Sequence, residues 1–169
     1  MGKWLDVKGP ILADTVYADN RLVARDVEFT LPGLNFQTTT ISAMGNMNVA
    51  LVGLLENMEL IINKVGTDEG FSNLIGLGRR VLEFRWAQTS ISKNGDSKTE
   101  GVKAFVKTLP LSIPDIAVKP GDAVTTEHKY TVTRLELYVN GSEKLVVDRL
   151  NSVLRVNRIN YAKDFEKYL

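Results

Sequence analysis

Apolar and polar positions alternate with a period of two in parts of this chain, most clearly at residues 26–30 and 82–86, and the runs rich in β-branched and aromatic residues stop at Asp19-Asn20, Pro32-Gly33, Asn94-Gly95, Pro120-Gly121 and Asn140-Gly141. That period predicts strands, and those dipeptides predict turns. The densest run, residues 128–139, is rich in β-branched and aromatic side chains and holds no Gly or Pro. Nothing in it interrupts a ladder. It meets Asn140-Gly141, which accepts the positive φ of a tight hairpin turn. Residues 143–147 then return. Residues 127–147 therefore read as a long strand, a turn and a returning strand. An isolated hairpin is marginal in water, so a further sheet must cover it.

The rest of the chain repeats the theme. Residues 15–18 and 22–30 predict a hairpin around Asp19-Asn20. In its second run Val27 and Phe29 alternate with Asp26, Glu28 and Thr30, which leaves one face wet. Residues 48–52, 58–65, 79–87 and 102–108 predict further strands. Pro110 and Pro114 interrupt the last of these and place it on an edge or a bulge. Two segments depart from the period of two. Residues 67–78 predict a helix, with Thr67 or Asp68 as cap, Phe71, Leu74 and Ile75 on one face, and Gly76 and Gly78 as the stop. Ile159, Ala162, Phe165 and Leu169 have helical spacing at the C-terminus.

Two stretches hold few core-forming residues. Residues 1–13, broken by Gly9-Pro10, read as an extended N-terminal arm anchored by Trp4, or as a disordered terminus. Residues 33–47 read as a longer extended arm, in which Phe36 and Ile41 stand alone among polar neighbours. A polar strand of weakly specified register is an edge, and its backbone groups are open to another chain. A surface hairpin of the monomer is the alternative.

Composition sharpens this picture. The 169 residues carry 21 basic and 20 acidic side chains, a formal net charge of +1. Such a balance exerts little pull on nucleic acid or anionic membrane and does little to oppose close association of copies. Cysteine is absent, which excludes disulfides and thiolate metal sites. The N-terminus lacks the apolar core of a signal peptide, and a protein made in the cytoplasm is expected.

Candidate chemistry is sparse. His128 is the only histidine and has no neighbouring nucleophile, so a structural or surface role is expected. No Gly-x-Ser-x-Gly elbow precedes a serine. Gly76-Leu77-Gly78-Arg79-Arg80 follows a predicted helix instead of opening one, so it reads as a helix stop and not a phosphate loop. No catalytic residue, metal or cofactor is expected.

The order of these features resembles the major tail tube proteins of contractile-tailed bacteriophages and R-type bacteriocins. Three matches carry the resemblance: Val16-Tyr17-Ala18-Asp19-Asn20 followed by Phe29-Thr30-Leu31-Pro32-Gly33-Leu34; Met44-Gly45 with the strand through Met58; and Leu135-Glu136-Leu137-Tyr138-Val139-Asn140-Gly141 with Val147-Asp148, Leu150-Asn151 and Val156-Asn157. Asn20-Arg21 and Asn157-Arg158 lack the glycine that the family's turns favour. The resemblance implies a mainly β single domain of two packed antiparallel sheets, sandwich- or barrel-like, with a flanking helix and a long hairpin arm. It implies hexameric rings stacked into a tube, with the sheath, baseplate and tape-measure proteins as partners and DNA or ions only as passing cargo. The implied location is a virion tail or phage-tail-like particle, with no membrane binding and no enzymatic activity.

On that reading Leu34, Phe36, Thr38, Thr40, Ile41 and Met44 are the arm residues that meet another subunit. Lys93, Asn94, Asp96 and Lys98 form a loop at a ring face. Leu135, Leu137 and Val139 face the core, and Arg134, Glu136 and Tyr138 face a lumen or a subunit seam. A ring-forming tube protein of a type VI secretion system is the alternative within this architecture. A monomeric β-barrel binding module is the alternative outside it.

Overall fold

The computed structural model describes residues 5–169; Trp4, the expected N-terminal anchor, lies outside the described residues. Two strands open the chain, β1 (Val7–Ala18) and β2 (Arg21–Arg25). Asp19 and Asn20 join them at φ 48° and 67°. Both side chains tolerate the left-handed region, so the turn closes without glycine. β3 (Glu28–Thr30) follows, then a separate two-stranded hairpin of β4 (Phe36–Ser42) and β5 (Asn46–Leu55). Next come β6 (Glu59–Val65), the helix α1 (Glu69–Leu74), and the long strands β7 (Arg80–Ile91), β8 (Ser97–Pro110) and β9 (Thr125–Val139). The chain ends with β10 (Ser142–Asp148), β11 (Val153–Val156), β12 (Ile159–Asn160) and the short helix α2 (Lys163–Glu166).

Ten of these strands form one antiparallel sheet in the order β12-β11-β10-β9-β8-β7-β1-β2, with β6 and β3 branching off at β9. The fold is therefore mainly β, with a large antiparallel sheet, a second small sheet and a short helix. The second layer packs on the first, as the sequence leads one to expect, and stays joined to it through β9. It arises because β9 has two partners end to end along one edge: β6 pairs with residues 125–131 and β10 with residues 134–139. Phe29 on β3 then packs on Phe84 of β7, ring centroids 4.6 Å apart, although these strands share no ladder. The β3-β6 branch thus lies face to face on the main sheet.

A bulge at Thr133 sets the branch point. Opposite it, Lys107 pairs with Arg134 and Thr108 pairs with Val132, so Thr133 is the extra residue. Before the bulge Thr126, His128, Tyr130 and Val132 are buried; after it Leu135 is buried and Leu137 packs on the core. The slip of one residue is why the alternation along this strand changes phase. One core runs from Val16 to Ala162, with Phe84, Leu82, Leu60, Ile62 and Tyr130 among its fully buried members.

Helix α1 is shorter than the sequence predicts. Asp68 caps it, accepting from the Phe71 amide at 3.0 Å. Tyr130 pins its end by donating to the Leu74 carbonyl at 2.6 Å. The Arg80 guanidinium lies over Gly76, and the chain turns there into β7. Of residues 1–13, expected to be an arm or disordered, residues 7–13 belong to β1 and run along β7, and Lys8 binds Glu100 at 2.7 Å. The β1-β7 register shifts on both sides of Ile11, which absorbs Gly9-Pro10 within a paired strand.

Candidate assembly surface

The arm springs from the branch point. Between the ends of β6 and β10, Val132 donates its amide to the Met58 carbonyl at 2.8 Å, and the Arg149 amide donates to the Thr133 carbonyl at 2.9 Å. Arg149 is thereby held beside the end of β5. Its guanidinium donates to the carbonyls of Leu55 at 2.9 Å and Glu56 at 3.0 Å. Asp148 sets the turn that aims it. One carboxylate oxygen accepts from the amides of Leu150 and Asn151, both at 3.1 Å; the other accepts from the Asn151 side chain and from Arg134, both at 2.9 Å. Burial works to raise the Asp148 carboxyl, but the Asn151, Arg134 and amide hydrogen bonds outweigh it and hold the group below its usual range. On the other side of the root, a side chain at Gly53 would start 3.2 Å from the Phe165 ring of α2. The Asp-x-x-Asn sequence noted for its resemblance is thus the turn that clamps the arm. Its chemistry was hidden because the carbonyls it holds lie far away in sequence.

Beyond this root the arm is a ribbon with two unlike faces. Register pairs Thr39 with Val49 and Ile41 with Met47, and Gln37 with Leu51. The opposite face pairs Thr38 with Ala50, Thr40 with Asn48 and Ser42 with Asn46. On it the Thr40 hydroxyl donates to Asn48 Oδ1 at 3.0 Å. The hairpin runs from residue 36 to residue 55, so residues 48–52 belong to the arm and not to a body strand. Of the six arm residues named from sequence, Leu34 and Phe36 pack on the monomer core at the root. Thr38 and Thr40 lie on the polar face. Ile41 lies on the apolar face, and Met44 stands fully exposed at the tip at φ 52°. Met47 belongs with Ile41 and was missed; the period of two counted from Ile41 through the turn would have pointed to it. No charged residue occurs between Glu28 and Glu56, in a chain where 24% of residues are charged. Charge is one of the usual protections of an exposed strand edge, and this two-edged ribbon lacks it.

The outer face of β9 carries Arg134, Glu136 and Tyr138, half-buried, opposite the core face of Leu135 and Leu137. Arg134 binds Glu136 and Asp148, so this row is a paired network and not a free charge. Tyr138 meets Phe105 edge to face at 5.8 Å. The turn between β7 and β8 exposes Lys93, Asn94 and Asp96, and Lys98, also exposed, pairs with Ser90 in the first rungs of the β7-β8 ladder. Ser92 organises the turn by accepting from the amides of Asn94 at 3.3 Å and Asp96 at 3.2 Å. These two groups sit on different parts of the sheet from the arm tip, and the fold does not bring the three together into one site.

His128 is buried, with Nε2 2.9 Å from the Thr126 hydroxyl and its ring edge-on to Phe71. Burial, and then the charge of Lys64, push its pKa down to about 4. It is a packing residue. Arg80 pairs with Asp19 at 3.8 Å, which uses the cation of the glycine-arginine segment for structure. Among the described residues no group of three or more His, Asp or Glu side chains is placed to hold a metal, and no helix is long and apolar enough to cross a membrane.

The body is thus a β-sheet that carries a clamped, uncharged ribbon. Comparison with known families is specific: residues 11–169 match the family of phage tail tube protein FII, and the chain belongs to that family. It is a structural subunit of a tail tube. No curated protein matches it by sequence. Its fold is similar to a chain of the sheath-tube complex of an extracellular contractile injection system, PVC, in the extended state. That match has TM-score 0.50 and 11% identity and covers 75% of this chain and 88% of the other. A chain of the PVC sheath/tube terminator matches with TM-score 0.51 and 11% identity, covering 74% and 92%.

Proposed function

We propose that this protein forms the inner tube of a contractile phage tail or phage-tail-like particle, as hexameric rings stacked around a channel for DNA or ions. The carrying observation is the arm. Among the described residues neither of its strands pairs outside the hairpin, Met44 at its tip is fully exposed, and residues 29–55 hold no charge. A rotation that closes makes a ring, and an axial contact that does not close makes a filament, so one chain with a body seam and an arm can build both. The sheath partner is proposed by analogy with the similar sheath-tube complex; baseplate and tape-measure contacts follow from the same role. Arg134, Glu136 and Tyr138 are assigned to a lumen or seam, and residues 92–98 to a ring face.

The test is electron microscopy of the purified chain beside Ile41→Asp/Met47→Asp. The native chain is expected to give sixfold rings and tubes of uniform width. The variant is expected to melt at the native temperature but to stop at rings or monomers. A native chain that elutes as a monomer at all concentrations sinks the tube reading, and variant tubes of native length sink the role of the arm.

A further inference from the structure

Residues 111–124 form neither strand nor helix, although they join the two longest strands of the sheet. Unstructured connections of this length are uncommon in compact domains and commonly serve a function. Their first half is an apolar strip. Leu109, Leu111, Ile113, Ile116 and Val118 are exposed at 47%, 52%, 56%, 50% and 77%. Asp115 is the only charge from residue 109 to residue 118. Past the Leu111 amide, which donates to Lys129, no backbone hydrogen bond ties residues 112–118 to another segment among the described residues. Pro110 and Pro114 lack an N–H, so the strip cannot simply extend β8.

We propose that this strip is the dock for the arm of a neighbouring copy. The proposal rests on the tube reading above and names the surface that its arm meets. Three observations favour this partner. The arm holds no charge and the strip holds one, Asp115, so their contact desolvates almost no ion. They match in residue count: β5 runs for ten residues and the strip, residues 109–118, for ten. The arm offers Ile41 and Met47, exposed on one face in line with the half-buried Val49 and Leu51, and the strip offers exposed apolar side chains with unpaired backbone beside them. Other exposed apolar groups fit less well. Val7, Ile11 and Leu12 are interleaved with Asp6, Lys8 and Asp14. The groove of about 350 Å³ at the arm root is lined by Asp148 and Arg149 and is already entered by Phe165.

The absence of cysteine makes the test clean. Ile41→Cys or Met47→Cys is combined with Leu111→Cys, Ile113→Cys or Ile116→Cys, assembled, oxidised mildly and run without reductant. Disulfide-linked dimers and higher multimers are expected from the double variants, and only monomer from each single variant. Phe165→Cys and Leu12→Cys, paired with the same arm variants, mark the competing surfaces. Tubes whose arm cysteines link only to those positions, or to none, overturn the dock while leaving the tube reading intact. A chain that makes no assembly refutes both. As a second measurement, Ile113→Asp is expected to raise the concentration needed for assembly by about tenfold or more, with melting unchanged. Unaltered assembly of that variant also overturns the dock.

Discussion

Arg149→Ala tests whether the arm is held by the clamp or merely lies near it. The side chain makes two charge-assisted hydrogen bonds, to Leu55 at 2.9 Å and Glu56 at 3.0 Å. The site is solvent-exposed, and water replaces the lost donors at both carbonyls. Each bond therefore contributes at the low end of the usual range, about 0.5–1 kcal/mol, or about 1–2 kcal/mol together. That energy acts locally. A two-stranded ribbon has little stability of its own, so loosening its root raises the population of open arm by about 5–30-fold. Hydrogen exchange read by mass spectrometry is the assay. The Glu56 amide, which donates to Asn35 at 2.8 Å, and the ladder of residues 36–55 should lose that much protection. The β7-β8 ladder should not change. Arg149→Lys should behave like the alanine variant, because an ammonium cannot fork two carbonyls as the planar guanidinium does. Unchanged exchange in residues 35–56, or equal loss across β7 and β8, refutes the clamp.

Other expectations are narrower. His128 titrates near 6.5 when unfolded and near 4 when folded, so between those values the unfolded chain takes up a proton that the folded chain refuses. Stability should fall as pH drops from 6.5 to 4, by up to about 3 kcal/mol, and His128→Gln should flatten that limb of a denaturation-against-pH profile. Gly70→Ala would put a Cβ 1.9 Å from the Val23 carbonyl oxygen, so α1 must move off β2. A loss of about 1–3 kcal/mol is expected, read as a lower melting temperature; an unchanged melt contradicts the close approach. Arg158 sits at φ 70° in the turn before β12, and its guanidinium donates only to the Ser142 hydroxyl. Arg158→Gly should relieve left-handed strain and raise stability by about 0.5–1 kcal/mol, with no gain expected from Arg155→Gly in the neighbouring strand.

The chain's own pattern determined what local chemistry governs. Alternation marked the strands, Asn140-Gly141 and Asp19-Asn20 marked their turns, and Asp68 marked the start of α1. The scarcity of core-forming residues marked residues 33–47 as an arm or a surface hairpin, without showing that the ribbon runs on to Leu55; these signals are carried by neighbours in sequence. Tertiary structure decided what depends on distant partners. The N-terminal segment became a strand because β7 offers it a ladder and Glu100 an ion pair. Leu34 and Phe36, expected among the arm residues that meet another subunit, pack at the arm's root because the core lies beneath them. The second layer came from a branch at Thr133, one extra residue that no local rule singles out, and not from a separate sheet. The clamp joins Asp148 and Arg149 to carbonyls near residue 55, and backbone carbonyls are the same in every sequence. A carbonyl leaves no trace in the pattern of side chains, so only the folded chain could show what holds the arm.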